Sequence, residues 1–495
     1  MTRSKPPSVL VAGAGISGLS AAYCLWRERP DINLCVVEPQ PRAGGSIWTV
    51  REQGYVLDAG PDSFLRTKTE AADLCRELGL ASDLISPSPE GRRVLIAHKG
   101  QLVPMPAGMA LAVPTRIGPM INSPLLSFIG KLRILGDLSV QKPSSDMPDE
   151  TVASFLKRHF GQEATENLAG PLLGGIFAGD IDELSIHSTF PQLVDLERRH
   201  GSLIRAFFAA ERARAAQNKN TQKLGAAADD PLYLPELFSL VKWLYRQGQK
   251  AESPFQSLRF GMGQLVDALQ ARLPEGCLKL GVGLLGLERV ANERWRAHLS
   301  DDTSLDFDGV ILCVPAQAAA SVLANRALAA EFEAVPHVST AAVYLALDEA
   351  KLSRPLDASG YMVPRAEGRA FASSWASTKW EGRAPTGRSL VRVSLGGARD
   401  PELVVNSSEA DLGDLARQEL ERMIGAVGTP LFVRAFKHVR PQPVVGHLAR
   451  LARIESHLAE LPGLFLASAA LGGVGIPDCI RRAQTAAMNI LKLIR

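Results

Sequence analysis

The sequence has few of the features that mark metal-binding, disulfide-rich or membrane-spanning proteins. Its six cysteines are scattered without a Cys-x-x-Cys spacing, and its nine histidines form no His-Glu-x-x-His pattern. No run of about eighteen apolar residues occurs, so no membrane-spanning helix is predicted. The 55 basic and 52 acidic residues leave a net charge of +3 and no basic run suited to nucleic acid. We expect no metal site, disulfide framework or nucleic-acid partner, and we interpret the cysteines as buried thiols in the reducing cytoplasm.

The richest pattern lies in the first forty residues and predicts a nucleotide-binding βαβ unit. An apolar strand at 9–11 is followed by Gly13-Ala14-Gly15-Ile16-Ser17-Gly18, a helical run, and a second apolar strand that ends at Glu38. The first glycine permits a tight turn, the second lets a pyrophosphate approach, and the third lets the helix pack on the sheet. Glu38 would accept hydrogen bonds from ribose hydroxyls and repel the 2′-phosphate of NADP. A glycine turn without a ligand is the alternative.

The segment after Glu38 favours FAD over NAD. A simple NAD dehydrogenase usually continues directly into its next helix, whereas this chain has a basic, glycine-rich loop with Arg42, Gly44, Gly45 and Ser46. Such a loop offers an arginine and further backbone N–H groups to a longer dinucleotide. The pattern resembles the FAD superfamily of amine oxidases, phytoene desaturases and protoporphyrinogen oxidases. The alternative is an ordinary glycine turn with a solvated arginine.

Patterns later in the chain divide it into segments that alternate between domains. Buried strands are expected near 309–314 and 463–468, and a Lys-Gly turn between apolar runs predicts a hairpin at 92–102. We predict an α/β fold in which a Rossmann-like FAD-binding domain carries an inserted α+β substrate-binding domain and a helical membrane-associated region. The predicted segments are 1–90, 251–318 and 456–495 for the FAD-binding domain, 91–102, 211–250 and 319–455 for the substrate-binding domain, and 103–210 for the helical region.

The helical region is predicted in more detail. Segment 103–138 is rich in proline and apolar residues and nearly free of acids. The alternatives for this segment are contact with an anionic membrane surface, an apolar channel mouth and a buried irregular core segment. Beyond it we predict helices over 150–173 and 193–214, a flexible turn at 174–180, a mobile loop at 215–230 and a helix over 231–248.

Motifs over nearly the whole chain are similar to those of the oxygen-dependent protoporphyrinogen oxidase family. The matching segments are 59–64, 175–180, 196–205, 379–385, 395–401, 445–448 and 473–480. In that family, protoporphyrinogen IX loses six electrons in three two-electron steps to FAD, and oxygen reoxidises the flavin to give hydrogen peroxide. The resemblance implies an FAD enzyme of haem biosynthesis with a tetrapyrrole substrate and molecular oxygen as co-substrate. It fits a sequence without a recognisable nucleophile, triad or metal site.

The resemblance also assigns residues to the cofactor and the substrate. The further flavin contacts that it implies are Gly60, Pro61, Asp62, Ser63, Leu284, Ser468, Val474, Gly475 and Ile476. For the substrate, Arg93 aligns with an arginine that pairs with a propionate, and Gly175 with a glycine whose carbonyl faces the macrocycle. Trp380 takes the place of an aromatic residue that sandwiches a pyrrole ring. The alternatives are a surface charge for Arg93 and a core residue for Trp380. No catalytic base is assigned, and His447 is interpreted as packed at a strand end.

One stretch departs from the family pattern and keeps other functions open. Members commonly carry Gly-Asn-Ala-Tyr-Arg-Gly beside the flavin, whereas residues 468–473 here are small or apolar. A weakly active FAD or porphyrin carrier is therefore one alternative, and an amine oxidase or carotenoid desaturase is a more distant one. Oxidation of coproporphyrinogen III is another, but its four carboxylates need more cations than Arg93, the only one placed, which favours protoporphyrinogen. We further expect a homodimer, transient contact with a ferrochelatase and peripheral contact with the inner face of the cell membrane.

Overall fold

The described part of the chain contains two large sheets, of five and seven strands, together with four smaller sheets and a group of helices. The computed structural model describes residues 6–110, 113–114, 117–143, 147–209, 253–290 and 293–494. The predicted loop at 215–230 and the predicted helix over 231–248 lie outside these residues.

Strands and helices are numbered in chain order within the described part of the chain. The strands are β1 Ser8–Ala12, β2 Asn33–Glu38, β3 Thr49–Glu52, β4 Tyr55–Asp58, β5 Phe64–Leu65, β6 Leu84–Ile85, β7 Leu95–His98, β8 Gln101–Pro104, β9 Met109–Ala110, β10 Val113–Pro114, β11 Phe255–Leu258, β12 Leu278–Leu280, β13 Leu284–Arg289, β14 Trp295–Leu299, β15 Ser304–Phe307, β16 Gly309–Leu312, β17 His337–Asp348, β18 Gly360–Met362, β19 Ala372–Trp375, β20 Arg388–Gly396, β21 Phe432–Pro441 and β22 Leu464–Leu466. The helices are α1 Ile16–Glu28, α2 Glu70–Glu77, α3 Ile117–Ile121, α4 Phe128–Leu135, α5 Val152–Phe160, α6 Gln162–Ala164, α7 Gly170–Phe177, α8 Ile186–Thr189, α9 Pro191–His200, α10 Gly263–Gln270, α11 Ala316–Val322, α12 Arg326–Glu333, α13 Ala376–Lys379, α14 Leu403–Asn406, α15 Glu409–Ile424, α16 His447–Ala459 and α17 Ile476–Leu493.

β1 lies at the centre of a five-stranded parallel sheet with the order β12-β2-β1-β16-β22. Val9 and Val11 pack with α1 and α17 on one face, whereas Leu10 and Ala12 pack with β14, α11, α12 and α16 on the other. A strand covered on both faces is an uninterrupted apolar run, which is why its sequence predicted it correctly. Because β1 pairs with β2 on one side and β16 on the other, a crevice is expected at its carboxyl end. The fold is mixed α/β, as predicted, and five of the six cysteines are buried free thiols.

The second large sheet has seven strands in the order β21-β17-β20-β19-β18-β7-β8. Most of it comes from residues 337–441, while β7 and β8 form the predicted hairpin and join along β18. Lys99 and Gly100 make its two-residue turn with φ of 51° and 73°, the left-handed geometry that such hairpins require. α15 packs on one face of this sheet. The hairpin thereby places the predicted substrate residue Arg93 at one side of the sheet.

The helical region contains more breaks than the sequence predicts. The prediction of one continuous helix over 150–173 is wrong. α5 ends before Gly161, whose φ is 83°, and α6 and a π-helical turn then precede α7. Residues 174–177 form the last turn of α7 rather than a flexible turn, and the chain leaves this helix at Ala178 with φ 52°. A left-handed glycine closes α5, although apolar periodicity continues on both sides of it.

The helix predicted over 193–214 is also interrupted. α9 ends at His200, Gly201 follows with φ 72°, and residues 203–209 form a separate helix. A Cβ at Gly201 would lie 2.5 Å from the backbone carbonyl carbon of Gln141. The break therefore has a tertiary cause, because another segment of backbone passes too close for a larger residue.

A buried histidine joins the helices of this region. His159 in α5 has no exposed surface; its Nδ1 lies 2.5 Å from Asp137 Oδ1, and its Nε2 lies 3.2 Å from Glu197 Oε1. Arg158 pairs with Glu197 and with Glu150. Burial lowers the pKa of His159, but its hydrogen bond to Asp137 and the nearby carboxylate of Glu197 outweigh burial and raise this pKa above its ordinary value. The cluster therefore favours an imidazolium between two carboxylates.

We expect the stability that this histidine contributes to fall as the pH rises above neutrality. The folded-state pKa lies above the unfolded value of about 6.5. The stabilisation by His159 is therefore complete at pH values below the unfolded pKa, and it is lost as the pH rises through the folded-state pKa. His159→Gln should lower the free energy of unfolding by roughly 2–4 kcal/mol at pH 6, and by less at pH 9. Urea unfolding of both proteins across this range measures the difference. The same loss at every pH would show that the imidazole is neutral.

α4 exposes an apolar face. Phe128, Ile129 and Leu132 are 75%, 77% and 52% exposed. Lys131 and Arg133 lie on the same helix, which contains no acidic residue. None of the helices in the described part of the chain is long and apolar enough to cross a membrane. Contact between this face and an anionic membrane surface stays a prediction.

Candidate functional site

The carboxyl end of β1 carries the turn that is predicted to bind a pyrophosphate. Gly13 has φ 97°, and a Cβ there would lie 2.9 Å from the carbonyl oxygen of Cys313, next to the neighbouring strand. A Cβ at Gly18 would lie 1.7 Å from the Gly13 carbonyl oxygen. Gly15 differs, because its φ is −70° and a Cβ there would meet nothing nearer than the Cα of Gly45 at 4.0 Å. Gly13 and Gly18 thus serve packing, whereas Gly15 leaves the start of α1 open to the approach of a ligand.

Glu38 lies beside this turn at the end of β2. Its carboxylate accepts hydrogen bonds from Ala14 N at 2.8 Å and from Gln40 N at 3.0 Å. Val282 N donates to the Glu38 carbonyl at 3.0 Å, which brings Leu284 at the start of β13 to the same edge of the sheet. Two backbone amides therefore hold the acid at the crevice, where it is placed to accept hydrogen bonds from a ribose. This geometry fits the dinucleotide that the sequence predicts.

The glycine-rich loop after Glu38 packs directly on the first turn. Gly44 N donates to the Ala14 carbonyl at 2.8 Å. The Arg42 guanidinium donates to the Gly45 carbonyl at 3.0 Å, and its carbon lies 4.6 Å from the centroid of the Trp48 ring. Arg42 therefore stabilises its own loop, and its predicted contact with a dinucleotide stays a prediction.

The loop at Gly60 joins the two sheets. A Cβ at Gly60 would lie 1.9 Å from the carbonyl oxygen of Ser46, so this loop passes against the glycine-rich one. Arg392 in β20 donates to the Gly60 carbonyl at 2.8 Å, and His438 Nε2 in β21 lies 2.7 Å from the Ala59 carbonyl oxygen. The seven-stranded sheet is therefore in direct contact with the predicted flavin loop.

Asp62, two residues further along, forms a partly buried network of charges. Its carboxylate lies 3.0 Å from Lys379 Nζ and accepts hydrogen bonds from Trp380 Nε1 at 3.1 Å and from Ser63 at 2.7 Å. Burial raises the pKa of the Asp62 carboxyl, but the cations Lys379 and Arg392 outweigh burial and hold this pKa well below its usual range. Asp62 is therefore ionised at neutral pH. Sequence reasoning named Asp62 but missed Lys379, which approaches it from more than 300 positions away.

Trp380 does not have the exposed ring that its predicted contact with a pyrrole requires. Its side chain is 0% exposed, its indole donates to Asp62, and Lys379 Nζ lies 4.9 Å from the ring centroid. The expectation for Trp380 is wrong, and the core alternative describes this tryptophan. Contacts with distant segments hold this part of the chain, since Ser88 N donates a hydrogen bond to the Lys379 carbonyl and Asp62 accepts one from the indole.

Arg93 and Gly175 both lie along β18. Arg93 is exposed and pairs with Asp357 at 3.2 Å, while its carbonyl accepts a hydrogen bond from Ser359 N at 2.7 Å. Gly175 is in the last turn of α7, and a Cβ there would lie 3.9 Å from the sulfur of Met362. The structure brings both residues to one sheet, and their contacts with a substrate stay predictions. A propionate would have to compete with Asp357 for the Arg93 guanidinium.

One face of β21 carries residues that sequence reasoning missed. Its contacts with other segments are Arg434 with Glu52, Phe436 with Trp48, His438 with Ala59, and Arg440 with Ile176. These residues occupy alternate positions, so they share one face of the strand. The alternation was present in the sequence, but nothing local showed that this face meets the flavin loop.

The end of the chain returns to the same edge of the parallel sheet. Gly475 is the N-cap of α17, so Ile476 begins an 18-residue helix that packs beside α1. Ser468 follows β22, and its carbonyl accepts a hydrogen bond from Arg482 at 3.0 Å. The altered stretch forms a short 3₁₀ turn with Ala470 buried. His447 is also buried, but it begins α16 instead of lying at a strand end.

Comparisons with known proteins relate almost the full chain to flavoenzymes. The family model for flavin-containing amine oxidoreductases matches residues 16–491. Coproporphyrinogen III oxidase of Bacillus subtilis is 32% identical, with 98% of this chain and 97% of that protein covered. Chloroplastic protoporphyrinogen oxidase of Nicotiana tabacum is 30% identical, with 97% and 85% covered. A crystal structure from Exiguobacterium sp. 255-15, provisionally named a protoporphyrinogen oxidase, has a TM-score of 0.81 at 28% identity and covers 98% and 99%.

Proposed function

We propose that this chain, which belongs to the flavin-containing amine oxidoreductase family and uses FAD, removes six electrons from a porphyrinogen to give the porphyrin. Molecular oxygen is the final acceptor in this proposal, and hydrogen peroxide is the second product. An oxidase role in porphyrin biosynthesis follows from relatives that share nearly the full length of the chain. The flavin supplies the acceptor for hydride equivalents, and the protein orients the macrocycle.

The observation that carries the proposal is the contact between the dinucleotide crevice and the second sheet. Segment 59–62 passes against the glycine-rich loop at Ser46 on one side and is bound by Arg392 and His438 on the other. α7, with Gly175 in its last turn, lies beside β18 of the same sheet. A substrate placed between α7 and the Gly60 loop would lie beside the residues that are predicted to contact the flavin.

Asp62 is a positioning residue in this proposal and not a general base. A carboxylate with a strongly lowered pKa binds a proton weakly, and its oxygens already accept from Trp380 and pair with Lys379. Its role is to hold Lys379 beside the Gly60 loop. Proton removal from the macrocycle therefore does not need a side chain of this cluster.

Aerobic turnover of protoporphyrinogen IX and coproporphyrinogen III by FAD-loaded protein tests the proposal. Porphyrin fluorescence and peroxide should rise together, at three molecules of peroxide for each porphyrin, because each two-electron step reduces one oxygen. Turnover of neither substrate by protein that retains FAD would overturn the oxidase proposal. That result would support the carrier alternative and direct attention to the altered stretch 468–472.

Protoporphyrinogen IX is the substrate that the sequence favours, and coproporphyrinogen III is the second candidate. The sequence favours protoporphyrinogen IX because Arg93 is the only cation that it places at the site. The structure adds Arg392 and Arg440 on the sheet face near the Gly60 loop, which weakens that argument. The Bacillus subtilis relative also carries the coproporphyrinogen name.

Peripheral contact with a membrane is proposed through the exposed face of α4. Phe128 and Ile129 would enter the interface while Lys131 stays near anionic headgroups. Co-sedimentation with phosphatidylglycerol vesicles at low salt should retain the wild-type protein and lose a Phe128→Ser/Ile129→Ser variant. Equal sedimentation of the two, or none for the wild type, would remove this proposal and the expected position at the inner face of the cell membrane.

A further inference from the structure

Arg440 lies near the end of β21, on the face that meets the flavin loop. On the same side of the sheet, His438 and Arg392 contact residues 59–60. An Arg440 nitrogen lies 3.5 Å from the carbonyl oxygen of Ile176 in the last turn of α7, too far for a strong hydrogen bond. Arg440 therefore lies between the flavin loop and the helix that carries the predicted substrate glycine.

No carboxylate among the described residues forms an ion pair with Arg440. Burial and the repulsion of Arg392 lower the pKa of Arg440 to about 10, so it remains charged at neutral pH. His438 adds no charge there, because burial lowers its pKa to about 4. Arg392 is balanced by the nearby carboxylate of Asp62, whereas Arg440 has no such partner. A partly buried guanidinium without a counter-ion is unfavourable by itself and is stabilised by an anion.

We propose that Arg440 binds a substrate carboxylate that Arg93 does not reach, and that it thereby selects tetracarboxylate porphyrinogens. The proposal rests on the porphyrinogen oxidase function. Arg93 precedes β7, and four strands separate β7 from β21 in the order of the sheet. The two arginines therefore belong to different parts of the sheet, and the proposal assigns a separate carboxylate to each of them. A substrate that pairs with both cations carries carboxylates on more than one side.

The two candidate substrates differ on that side of the macrocycle. Protoporphyrinogen IX carries two propionates on neighbouring rings and vinyl groups on the other two, whereas coproporphyrinogen III carries a propionate on every ring. With one pair of propionates at Arg93, the opposite side would present vinyl groups or propionates to Arg440. A vinyl group leaves the cation without a counter-ion, and a propionate forms two charge-assisted hydrogen bonds with its guanidinium.

The test compares the KM values of the two porphyrinogens in matched variants. Arg440→Met removes the charge and keeps the apolar length, whereas Arg440→Lys keeps the charge. Lys437→Met is the control, because Lys437 is exposed on the opposite face of the same strand and donates to the Ser407 carbonyl. Arg440→Met should raise the ratio of the coproporphyrinogen KM to the protoporphyrinogen KM at least tenfold. Arg440→Lys should restore part of this ratio, and Lys437→Met should leave it within twofold.

Binding of the product porphyrins separates this proposal from the oxidase function. Fluorescence quenching of the FAD-loaded protein gives dissociation constants for coproporphyrin III and protoporphyrin IX without turnover. Arg440→Met should raise the dissociation constant of coproporphyrin III at least tenfold more than that of protoporphyrin IX. Equal weakening of both porphyrins, or no change in either, overturns the role of Arg440. If the wild type oxidises neither substrate, the oxidase function fails, and the ratio of dissociation constants still decides what Arg440 binds.

Discussion

Gly15→Ala should weaken FAD binding at least tenfold and leave the fold of the apoprotein intact. The added methyl group would meet no atom nearer than 4.0 Å, and φ of −70° is open to alanine, so the change adds no strain. The methyl would instead occupy the space through which a phosphate approaches the first amides of α1. Titration of apoprotein with FAD, followed by flavin fluorescence, measures the affinity. Thermal unfolding of the apoprotein should stay within about 2 °C of the wild type, as expected for a change of well under 1 kcal/mol.

Two other glycines serve as controls for this experiment. Gly136 follows α4 with φ −59°, and a Cβ there would meet only Arg133, at 3.5 Å, so Gly136→Ala should change neither FAD affinity nor stability. Gly18→Ala places its methyl 1.7 Å from the Gly13 carbonyl oxygen and should impair folding itself. If Gly15→Ala folds and binds FAD as tightly as the wild type, the pyrophosphate does not lie at this turn, and the cofactor site must be placed elsewhere.

Arg383→Leu should lower the free energy of unfolding by about 3–5 kcal/mol, because it leaves a buried carboxylate without its cation. Arg383 and Asp58 side chains are 1% and 2% exposed and lie 3.1 Å apart. Asp58 also accepts hydrogen bonds from Thr49 and Met262 N, so it cannot turn toward water to compensate. The loss should be smaller at pH 5 than at pH 8, since protonation neutralises the uncompensated acid. Urea unfolding at the two pH values measures it.

A double-mutant cycle isolates the pair. Asp58→Asn/Arg383→Leu should cost less than the sum of the two single changes, because neither charge is then buried alone. The exposed pair of Arg453 with Glu331 is the control, and Arg453→Leu should cost no more than about 1 kcal/mol. Additive losses at Asp58 and Arg383 would mean that the two charges do not stabilise each other. The ion pair connects β4, which pairs with β3 in a two-stranded sheet, to the loop after α13, and the comparison shows how much this connection contributes to stability.

The first βαβ unit was determined by the sequence alone because every signal for it is local. An apolar strand covered on both faces, glycines where the backbone leaves no room for a Cβ, and an acid at the end of the next strand all lie within residues 9–38. The hairpin at Lys99 and Gly100 is local in the same sense. The breaks in the long predicted helices of the helical region were not determined locally. Gly201, for example, is required because backbone of another segment packs against it.

The chemistry of the site was decided by tertiary structure. The pKa of Asp62 is strongly lowered because Lys379 of α13 and Arg392 of β20 lie beside it, and Trp380, the next residue after Lys379, is fully buried. Arg440 lies in a strand whose direction and neighbours depend on pairing across the whole sheet. Sequence alone determined that this protein builds a dinucleotide turn, since short-range geometry suffices for that. Which charges meet at the substrate face was decided by long-range pairing, because a charge has no partner until the fold supplies one.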